Sequence, residues 1–384
     1  MNPNSITPIL RRSTTYRSAL LKILILKPSS LGDIVQALPV LRLLRRHLPS
    51  SEIYWWVESS FAPLLEGDSD LAGVVRFERR GWAAPQRWPD LWRSIRWMRE
   101  QAFDWVIDLQ SLARSGAFAW LANGKLTIGL DEPREGARGF YDLIARRPSF
   151  HTHAVDWYLR VLPLLGLPGL ERGSPSSRDG LPAITQSWNS ALLLEESFRW
   201  LPQRPAIAAA IRQKWPVAGS RWMILQPGAR WSNKRWPAEC FAELVARLAV
   251  ARPEFRFAVL GALQDRPLAE IICRADAALC LDLTGETSLP EMVEWIRLSE
   301  LMVTNDTGPM HVAAALNKPV VALFGPTEPR RTGPYGQLEH TLQLALPCIP
   351  CLSARCTYSK PMECLRAMPV SKVFEAVQKR LAVL

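Results

Sequence analysis

Residues 301–329 contain a strand, a tight loop, a helix and a second strand in direct succession. Apolar runs at 301–304 and 320–324 predict the two strands, and residues 310–316 predict the helix. The loop between them reads Asn-Asp-Thr-Gly-Pro. A strand that ends in such a loop and opens a helix turns free backbone N–H groups and the positive helix end toward an anion. This stretch therefore predicts an α/β fold that binds an anionic ligand.

The same alternation recurs along the chain. Further strands are predicted at residues 23–26, 53–57, 74–77, 106–109, 126–128, 223–226, 257–260 and 278–283. Further helices are predicted at residues 34–47, 91–101, 153–165, 237–248, 267–274 and 289–298. Alternating strands and helices of this length predict parallel sheets that are covered by helices on both faces.

The length of 384 residues exceeds one ordinary core, so two domains are expected. We predict a disordered basic leader at 1–20, a first domain at 21–175, a connection at 176–218, a second domain at 219–365 and a C-terminal helix at 366–384. Two such domains leave a cleft between the carboxyl ends of their sheets, where ligands of α/β proteins bind.

Composition narrows the function classes. The net charge of +11 is spread along the chain, which argues against a nucleic-acid tail and fits a polyanionic substrate or an anionic membrane surface, or plain solvation. The sequence has no apolar run of transmembrane length, and residues 1–20 have no apolar export segment. Seven cysteines in such a chain are typical of a reducing cytoplasm.

Asp33 lies in the loop that follows the first predicted strand. Aspartate at this place is commonly a helix N-cap, and that structural interpretation is favoured for the residue taken alone. A carboxylate in a cleft could instead take the proton from an attacking hydroxyl group.

Two later loops also follow predicted strands. Lys234 and Arg235 precede a helix that starts at a proline, which is consistent either with a phosphate site or with a solvated basic loop. Asp265 follows the strand at 257–260 and could accept hydrogen bonds from a ribose or cap the next helix. The sequence has neither a Gly-x-Gly-x-x-Gly run nor a Walker loop, so a nicotinamide cofactor and a P-loop nucleotide are not indicated.

The tryptophans are concentrated in the first domain. Trp88 and Trp92 share one helical face with Leu91 and Ile95, which favours a core position. Trp55, Trp56 and Trp82 could instead line a sugar-binding surface.

Four cysteines lie within seventeen residues, at Cys348, Cys351, Cys356 and Cys364. A thiolate cluster of this density is consistent with a structural zinc or iron site, and equally with reduced thiols that pack a loop.

Three motifs together resemble glycosyltransferase family 9, the bacterial heptosyltransferases. They are the Lys-x-Ser-Ser-x-Gly-Asp loop ending at Asp33, the Lys-x-Trp-Pro segment starting at Lys234, and Asn-Asp-Thr-Gly-Pro-Met-His followed by Phe-Gly-Pro-Thr. The resemblance implies a GT-B fold of two Rossmann-like domains facing across a cleft, with the last helix docking back. It also implies heptose transfer from ADP-heptose by an inverting mechanism that needs no catalytic metal.

The resemblance assigns roles by position. Asp33 would be the general base, which reverses the capping interpretation. The second domain would bind the donor through Lys234, Asp265, Thr287, Asp306, Thr307, Gly308 and His311. The first domain would bind the acceptor through Arg79, Arg80, Arg134 and His153.

The implied acceptor is the anionic, lipid-linked inner core of lipopolysaccharide, which a cytoplasmic enzyme would reach at the inner membrane surface. Trp157 departs from the family's pattern, in which a basic residue often follows His153 by four positions. The cysteine cluster is similar to one in family members that modify proteins and bind a metal. A protein acceptor, a sugar-nucleotide epimerase on the same fold and a non-catalytic nucleotide-binding protein are the alternatives.

Overall fold

The computed structural model describes residues 20–78, 88–132, 134–167, 190–195, 197–217 and 219–383. Within these ranges the chain forms two six-stranded sheets whose strands all pair in parallel. The predicted fold, two Rossmann-like domains of the GT-B type, is confirmed. Of the predicted leader at 1–20, all but Leu20 lies outside the described residues.

The first sheet has the strand order β3-β2-β1-β4-β5-β6. Its strands are β1 (Lys22–Leu26), β2 (Glu52–Glu58), β3 (Gly73–Phe77), β4 (Trp105–Asp108), β5 (Leu126–Leu130) and β6 (Leu143–Ala145). The helices of this part of the chain are α1 (Leu31–His47), α2 (Ala62–Leu65), α3 (Trp88–Glu100), α4 (Ala113–Leu121), α5 (Ala154–Leu159) and α6 (Val161–Leu164).

The second sheet repeats this topology with the order β12-β11-β10-β7-β8-β9. Its strands are β7 (Arg221–Gln226), β8 (Phe255–Val259), β9 (Cys280–Asp282), β10 (Leu301–Asn305), β11 (Val320–Phe324) and β12 (Thr341–Gln343). The remaining helices are α7 (Ser190–Leu194), α8 (Pro205–Lys214), α9 (Ala238–Ala251), α10 (Arg266–Cys273), α11 (Leu289–Leu298), α12 (Gly308–Ala315), α13 (Pro329–Thr332), α14 (Glu363–Arg366) and α15 (Val370–Leu381).

The central strands are buried apolar runs because helices cover both sheet faces. Every residue of β10 and of β11 is buried. The last helix, α15, buries Val373 and Val377 in the core of the second sheet, where it packs on α9 and β11. The C-terminal helix therefore closes the second domain.

Both sheets reverse their strand order at one point, between β1 and β4 in the first and between β7 and β10 in the second. The loops that leave these strands diverge at the carboxyl edge, and a crevice opens between them. Asp33 follows β1, Lys234 follows β7 and Asp306 follows β10. The topology thus brings three separate loops to one place.

The two domains also contact each other directly. α1 of the first domain packs on α12 of the second. Asp156 of α5 accepts a hydrogen bond of 2.7 Å from the Tyr335 hydroxyl. One cluster of buried apolar residues includes members of both sheets and of the connection, such as Trp200. The two domains therefore share one cluster of buried apolar side chains.

The interpretation of the early tryptophans is wrong in two respects. Trp88 and Trp92 are 54% and 65% exposed, because α3 packs on the sheet through Ile95 and Met98 farther along the helix. Trp55 is fully buried in the sheet and cannot line a sugar-binding surface.

Trp56 is also buried, at 2% exposure, with its ring stacked on that of Phe77. It therefore belongs to the core. Trp82 lies outside the described residues.

Candidate functional site: an interdomain cleft

The cleft holds a cavity of about 930 Å³ between the two domains. Its wall includes Asp33 from the first domain. From the second domain it includes every residue predicted to bind the donor, namely Lys234, Asp265, Thr287, Asp306, Thr307, Gly308 and His311. Residues from five different loops therefore meet at one site.

The Asp33 carboxylate serves two purposes at once. Its Oδ2 accepts hydrogen bonds from the Ser30 amide (3.0 Å) and hydroxyl (2.7 Å), which forms a capping box at the start of α1. Its Oδ1 lies 3.4 Å from the Tyr158 hydroxyl on α5. One oxygen thus fixes the helix end and the other remains available at the cavity wall.

Charges around Asp33 keep it ionised. Burial raises its pKa, but Lys27, the two bonds from Ser30 and the His311 ring outweigh burial, and the pKa is lowered overall. The Lys27 ammonium donates to the Leu109 carbonyl at 2.9 Å and lies 4.7 Å from the centre of the Tyr158 ring. Asp33 is therefore a carboxylate throughout the neutral pH range.

On the opposite wall, Lys234 forms an ion pair with Asp306. The Lys234 ammonium lies 2.6 Å from Asp306 Oδ2, and the same oxygen accepts a 2.5 Å bond from the Thr327 hydroxyl. The neighbouring Asn305 side chain accepts from the Trp236 amide and donates to the Pro227 carbonyl, which ties β10 to the loop after β7. These contacts hold a cation at the cavity in a fixed position.

The start of α12 forms the next part of this wall. Thr307 and Gly308 line the cavity, so the positive end of the helix dipole lies there. His311, one turn farther along, is 9% exposed, and burial lowers its pKa. Its ring faces Gly32, where a Cβ atom would lie only 2.4 Å from the ring. The two domains therefore meet closely at this point.

Asp265 makes the predicted capping contact, whereas its contact with a ribose stays a prediction. Its Oδ2 accepts from the Ala262 amide at 3.1 Å, which caps the turn before α10, while Oδ1 lies 3.5 Å from the Arg235 guanidinium. A Cβ atom on Gly228 would collide with this carboxylate. Thr287 lines the same cavity.

The predicted acceptor residues are less well assembled. Arg79 and Arg80 lie outside the described residues. The Arg134 guanidinium is exposed and pairs with Glu132 at 2.9 Å.

The ring of His153 is buried and neutral. Val155 N–H donates to its Nδ1 at the start of α5, and its Nε2 donates to the Gly333 carbonyl of the second domain at 3.1 Å. Burial lowers its pKa to about 3. The His153 ring therefore joins the two domains, and its contact with the acceptor stays a prediction.

Residues 91–361 match the family described as glycosyltransferase family 9 (heptosyltransferase). The chain belongs to that family. It is 29% identical over 357 residues to lipopolysaccharide heptosyltransferase 1 of Pseudomonas aeruginosa, with 89% of each chain covered. It is 22% identical to the lipopolysaccharide core heptosyltransferase OpsX of Haemophilus influenzae, with 83% of each covered.

Solved structures of the family have the same fold. Heptosyltransferase II of Escherichia coli superposes with a TM-score of 0.70 at 23% identity, covering 94% of this chain and 99% of that one. A family 9 protein of Veillonella parvula gives a TM-score of 0.72 at 21% identity, covering 95% and 98%. The glycosyltransferase fold predicted from the sequence is thus found throughout both domains.

The cysteine cluster of this glycosyltransferase lies beside β11. All four cysteines, at 348, 351, 356 and 364, are free thiols. Burial raises the pKa of Cys364, and the other three thiols raise it further. Among the described residues, no group of three or more His, Cys, Asp or Glu side chains is arranged to hold a metal ion. The structural metal stays a prediction.

None of the helices in the described ranges is long and apolar enough to cross a membrane.

Sequence reasoning missed two neighbours of Asp33 in this glycosyltransferase. Lys27 begins the loop motif that ends at Asp33, but nothing in the sequence indicates that it contacts the carboxylate's surroundings. Tyr158 lies 125 residues from Asp33 and belongs to no motif. Only the packing of α5 against α1 reveals the contact.

Proposed function

We propose that this glycosyltransferase moves a heptose from ADP-heptose to the inner core of lipopolysaccharide. One observation carries the proposal: an ionised carboxylate, Asp33, faces a fixed ammonium, Lys234, and a helix N-terminus across one cavity. The relatives named as lipopolysaccharide heptosyltransferases support the choice of sugar and acceptor. In this proposal the first domain binds the acceptor and the second binds the donor.

The chemistry is a single displacement with inversion. The acceptor hydroxyl gives its proton to Asp33 while its oxygen bonds to the anomeric carbon of the heptose. The bond from that carbon to the diphosphate oxygen breaks, and its electron pair leaves with ADP. Lys234 and the N–H groups at the start of α12 stabilise the growing negative charge, so groups of this chain act without a catalytic metal.

We assign Arg134 and His153 to the acceptor, although neither lines the cavity that holds Asp265 and Thr287. We assign Asp265 and Thr287 to the nucleoside and Asp306, Thr307, Gly308 and His311 to the diphosphate and the heptose. Lys234 would bind the phosphate while it stays paired with Asp306.

The test is a transfer assay with purified protein, ADP-heptose and a deacylated inner-core saccharide. The proposal expects ADP and a heptosylated saccharide in equal amounts, and ADP release that depends on the saccharide. Isomerised sugar nucleotide without an acceptor would show an epimerase, and binding without turnover would show a nucleotide-binding protein. Mass spectrometry of lipopolysaccharide from a deletion strain would then identify the step, and an intact core would favour a protein acceptor.

We also propose that the protein works at the cytoplasmic face of the inner membrane, through a surface formed by Trp88, Trp92, Arg96, Arg99 and Trp120. The three tryptophans are 54%, 65% and 62% exposed. Trp88 and Trp92 share α3 with the two exposed arginines, and Trp120 lies on α4. A groove of about 660 Å³ lies between Trp92, these arginines and Leu121. Tryptophan rings favour the headgroup region, and arginines favour anionic lipids.

Vesicle sedimentation tests this surface. Trp92→Ala should reduce binding to vesicles that contain anionic lipid, and binding should fall with salt. Val250→Ser, which changes an 85% exposed apolar residue on α9, is the matched control and should bind as the wild type does. Equal binding of both variants would refute the assignment.

A further inference from the structure

Arg147 is held in an unusual way near the acceptor side of the cleft. Its guanidinium lies over the Trp157 ring, 4.7 Å from the ring centre, and donates one hydrogen bond to the Thr152 carbonyl. The ring is 5% exposed and is fixed by a 3.0 Å bond from its Nε1 to the Ala145 carbonyl. The buried Trp157 ring therefore holds the Arg147 guanidinium in place by a cation–π contact.

The hydrogen bonding of Arg147 is incomplete. Its Nε atom is buried and has no hydrogen-bond partner within the described structure. A buried donor without a partner is costly unless a ligand supplies the acceptor. The guanidinium therefore has unused capacity for an anion.

A second guanidinium comes from the other domain. Arg331 of α13 lies over the Phe150 ring, 4.5 Å from the ring centre. Phe150 follows Arg147 by three residues in the chain. The adjacent Arg330 is paired with Glu328 at 2.8 Å. In the ranges that the structure describes, neither Arg147 nor Arg331 forms an ion pair with a carboxylate within 4.0 Å.

The two cations lie close enough to repel each other. Burial lowers the pKa of Arg147 to about 10, and the charge of Arg331 is the next largest cause. Two like charges held on aromatic faces, one from each domain, are stabilised when an anion lies between them. Guanidinium groups bind carboxylate and phosphate in a bidentate manner, so an oxyanion is the matching ligand.

The pair lies beside the reaction centre. Thr332, the residue after Arg331, lines the main cavity. Tyr158, the residue after Trp157, contacts Asp33 at 3.4 Å. An anion bound by the pair would therefore be a neighbour of the hydroxyl group that Asp33 deprotonates.

We propose that Arg147 and Arg331 form a two-domain clamp for an oxyanion of the acceptor, in which the Trp157 ring positions Arg147. The identity of the acceptor in this inference rests on the proposed function. The binding of an oxyanion by the two arginines does not depend on it. Because each domain supplies one cation, the clamp is complete only when the domains are together, and acceptor binding favours that arrangement.

The experiment compares neighbouring arginines. Arg331→Ala should weaken binding of the deacylated inner-core saccharide about 10- to 100-fold, as expected for loss of a hydrogen bond between charged groups. The affinity for ADP should not change. Arg330→Ala is the matched control on the same short helix and should bind the saccharide within twofold of the wild type. Equal saccharide affinity of Arg331→Ala and wild type would overturn the clamp.

Binding is measured by calorimetry, so a missing transfer activity does not obscure the result. If the wild type transfers heptose and Arg331→Ala has the same acceptor KM, the clamp alone is refuted. If the saccharide binds in a way that needs Arg331 but no transfer occurs, the proposed function alone is refuted. Arg147→Lys keeps the charge but loses the planar fork, and should raise the acceptor KM while leaving the melting temperature near that of the wild type. Repeating the titration with a dephosphorylated saccharide distinguishes phosphate from carboxylate: loss of the Arg331 effect identifies the phosphate, and its persistence the carboxylate.

Discussion

The two walls that we assign to the donor and to the acceptor differ in how their charges are paired. On the donor wall the charged groups are already paired, as in Lys234 with Asp306. On the acceptor side Arg147 and Arg331 lie on aromatic rings without carboxylate partners among the described residues. Paired charges suit a ligand that enters a preformed network, whereas unpaired cations suit a ligand that brings its own negative charge.

The largest effect that the comparison predicts is at Asp33, where the walls meet. Asp33→Ala should reduce transfer by about 10²- to 10⁴-fold, the usual contribution of a general base. The affinity for ADP, which the donor wall sets, should remain close to that of the wild type. Stopped assays with ADP-heptose and calorimetry with ADP measure the two quantities. Near-normal turnover would remove Asp33 from the mechanism.

A variant of the donor wall should give the reverse pattern. Lys234→Ala removes a charged hydrogen bond and should weaken ADP-heptose binding by about 1.5–3 kcal/mol, roughly 10- to 150-fold. Acceptor affinity should not change. Lys214→Ala, on the exposed side of α8, controls for the loss of one positive charge. If Lys234→Ala weakened only acceptor binding, the assignment of the two walls would be wrong.

The contact between the walls can be altered with one methyl group. In Gly32→Ala the new Cβ would lie 2.4 Å from the His311 ring, so α1 and α12 must separate. Turnover should fall about 10- to 100-fold because the base and the donor lose their alignment. Gly139→Ala adds the same methyl group where no atom lies within 4 Å, and should be silent. Normal kcat in Gly32→Ala would show that transfer tolerates separated walls.

The smallest effect concerns stability and tests whether the His153 ring is buried and unprotonated in the folded protein. Its pKa is about 3 in the folded protein and 6.5 in the reference state, so the unfolded chain binds more protons between these values. The free energy of unfolding should therefore fall as pH drops below 6.5, by about 1.4 kcal/mol per pH unit for this residue. Urea unfolding at pH 7.5 and 5.5 should show this loss in the wild type and not in His153→Gln. Equal losses would mean that the ring is protonated when folded.

The sequence predicts the donor wall better than the acceptor wall for a physical reason. Its residues follow strands of a parallel sheet at fixed distances, so Lys234, Asp306 and the start of α12 can be placed by the topology alone. The strand Val320–Phe324 and the helix Leu289–Leu298 have the predicted bounds.

Acceptor-side contacts join residues far apart in the sequence. His153 and Gly333 are separated by 180 residues, and no local pattern indicates that they meet. Helical periodicity places Trp88 and Ile95 on one face but does not show which end of that face overhangs the sheet. The short strands β6 and β12 have three residues each, too few for a periodic signal.

The abutting starts of α1 and α12 have a consequence for the catalytic cycle. Gly32 and Gly308, at the first turns of the two helices, each face a side chain of the opposite domain. Two positive helix ends thus point into one space, where Asp33 caps α1 and Asp306 is paired with Lys234. A bound diphosphate would add further counter-charge, so its departure would loosen the joint itself. Product release and domain opening would then be one event, and small-angle scattering with and without ADP should show a more extended particle when ADP is absent.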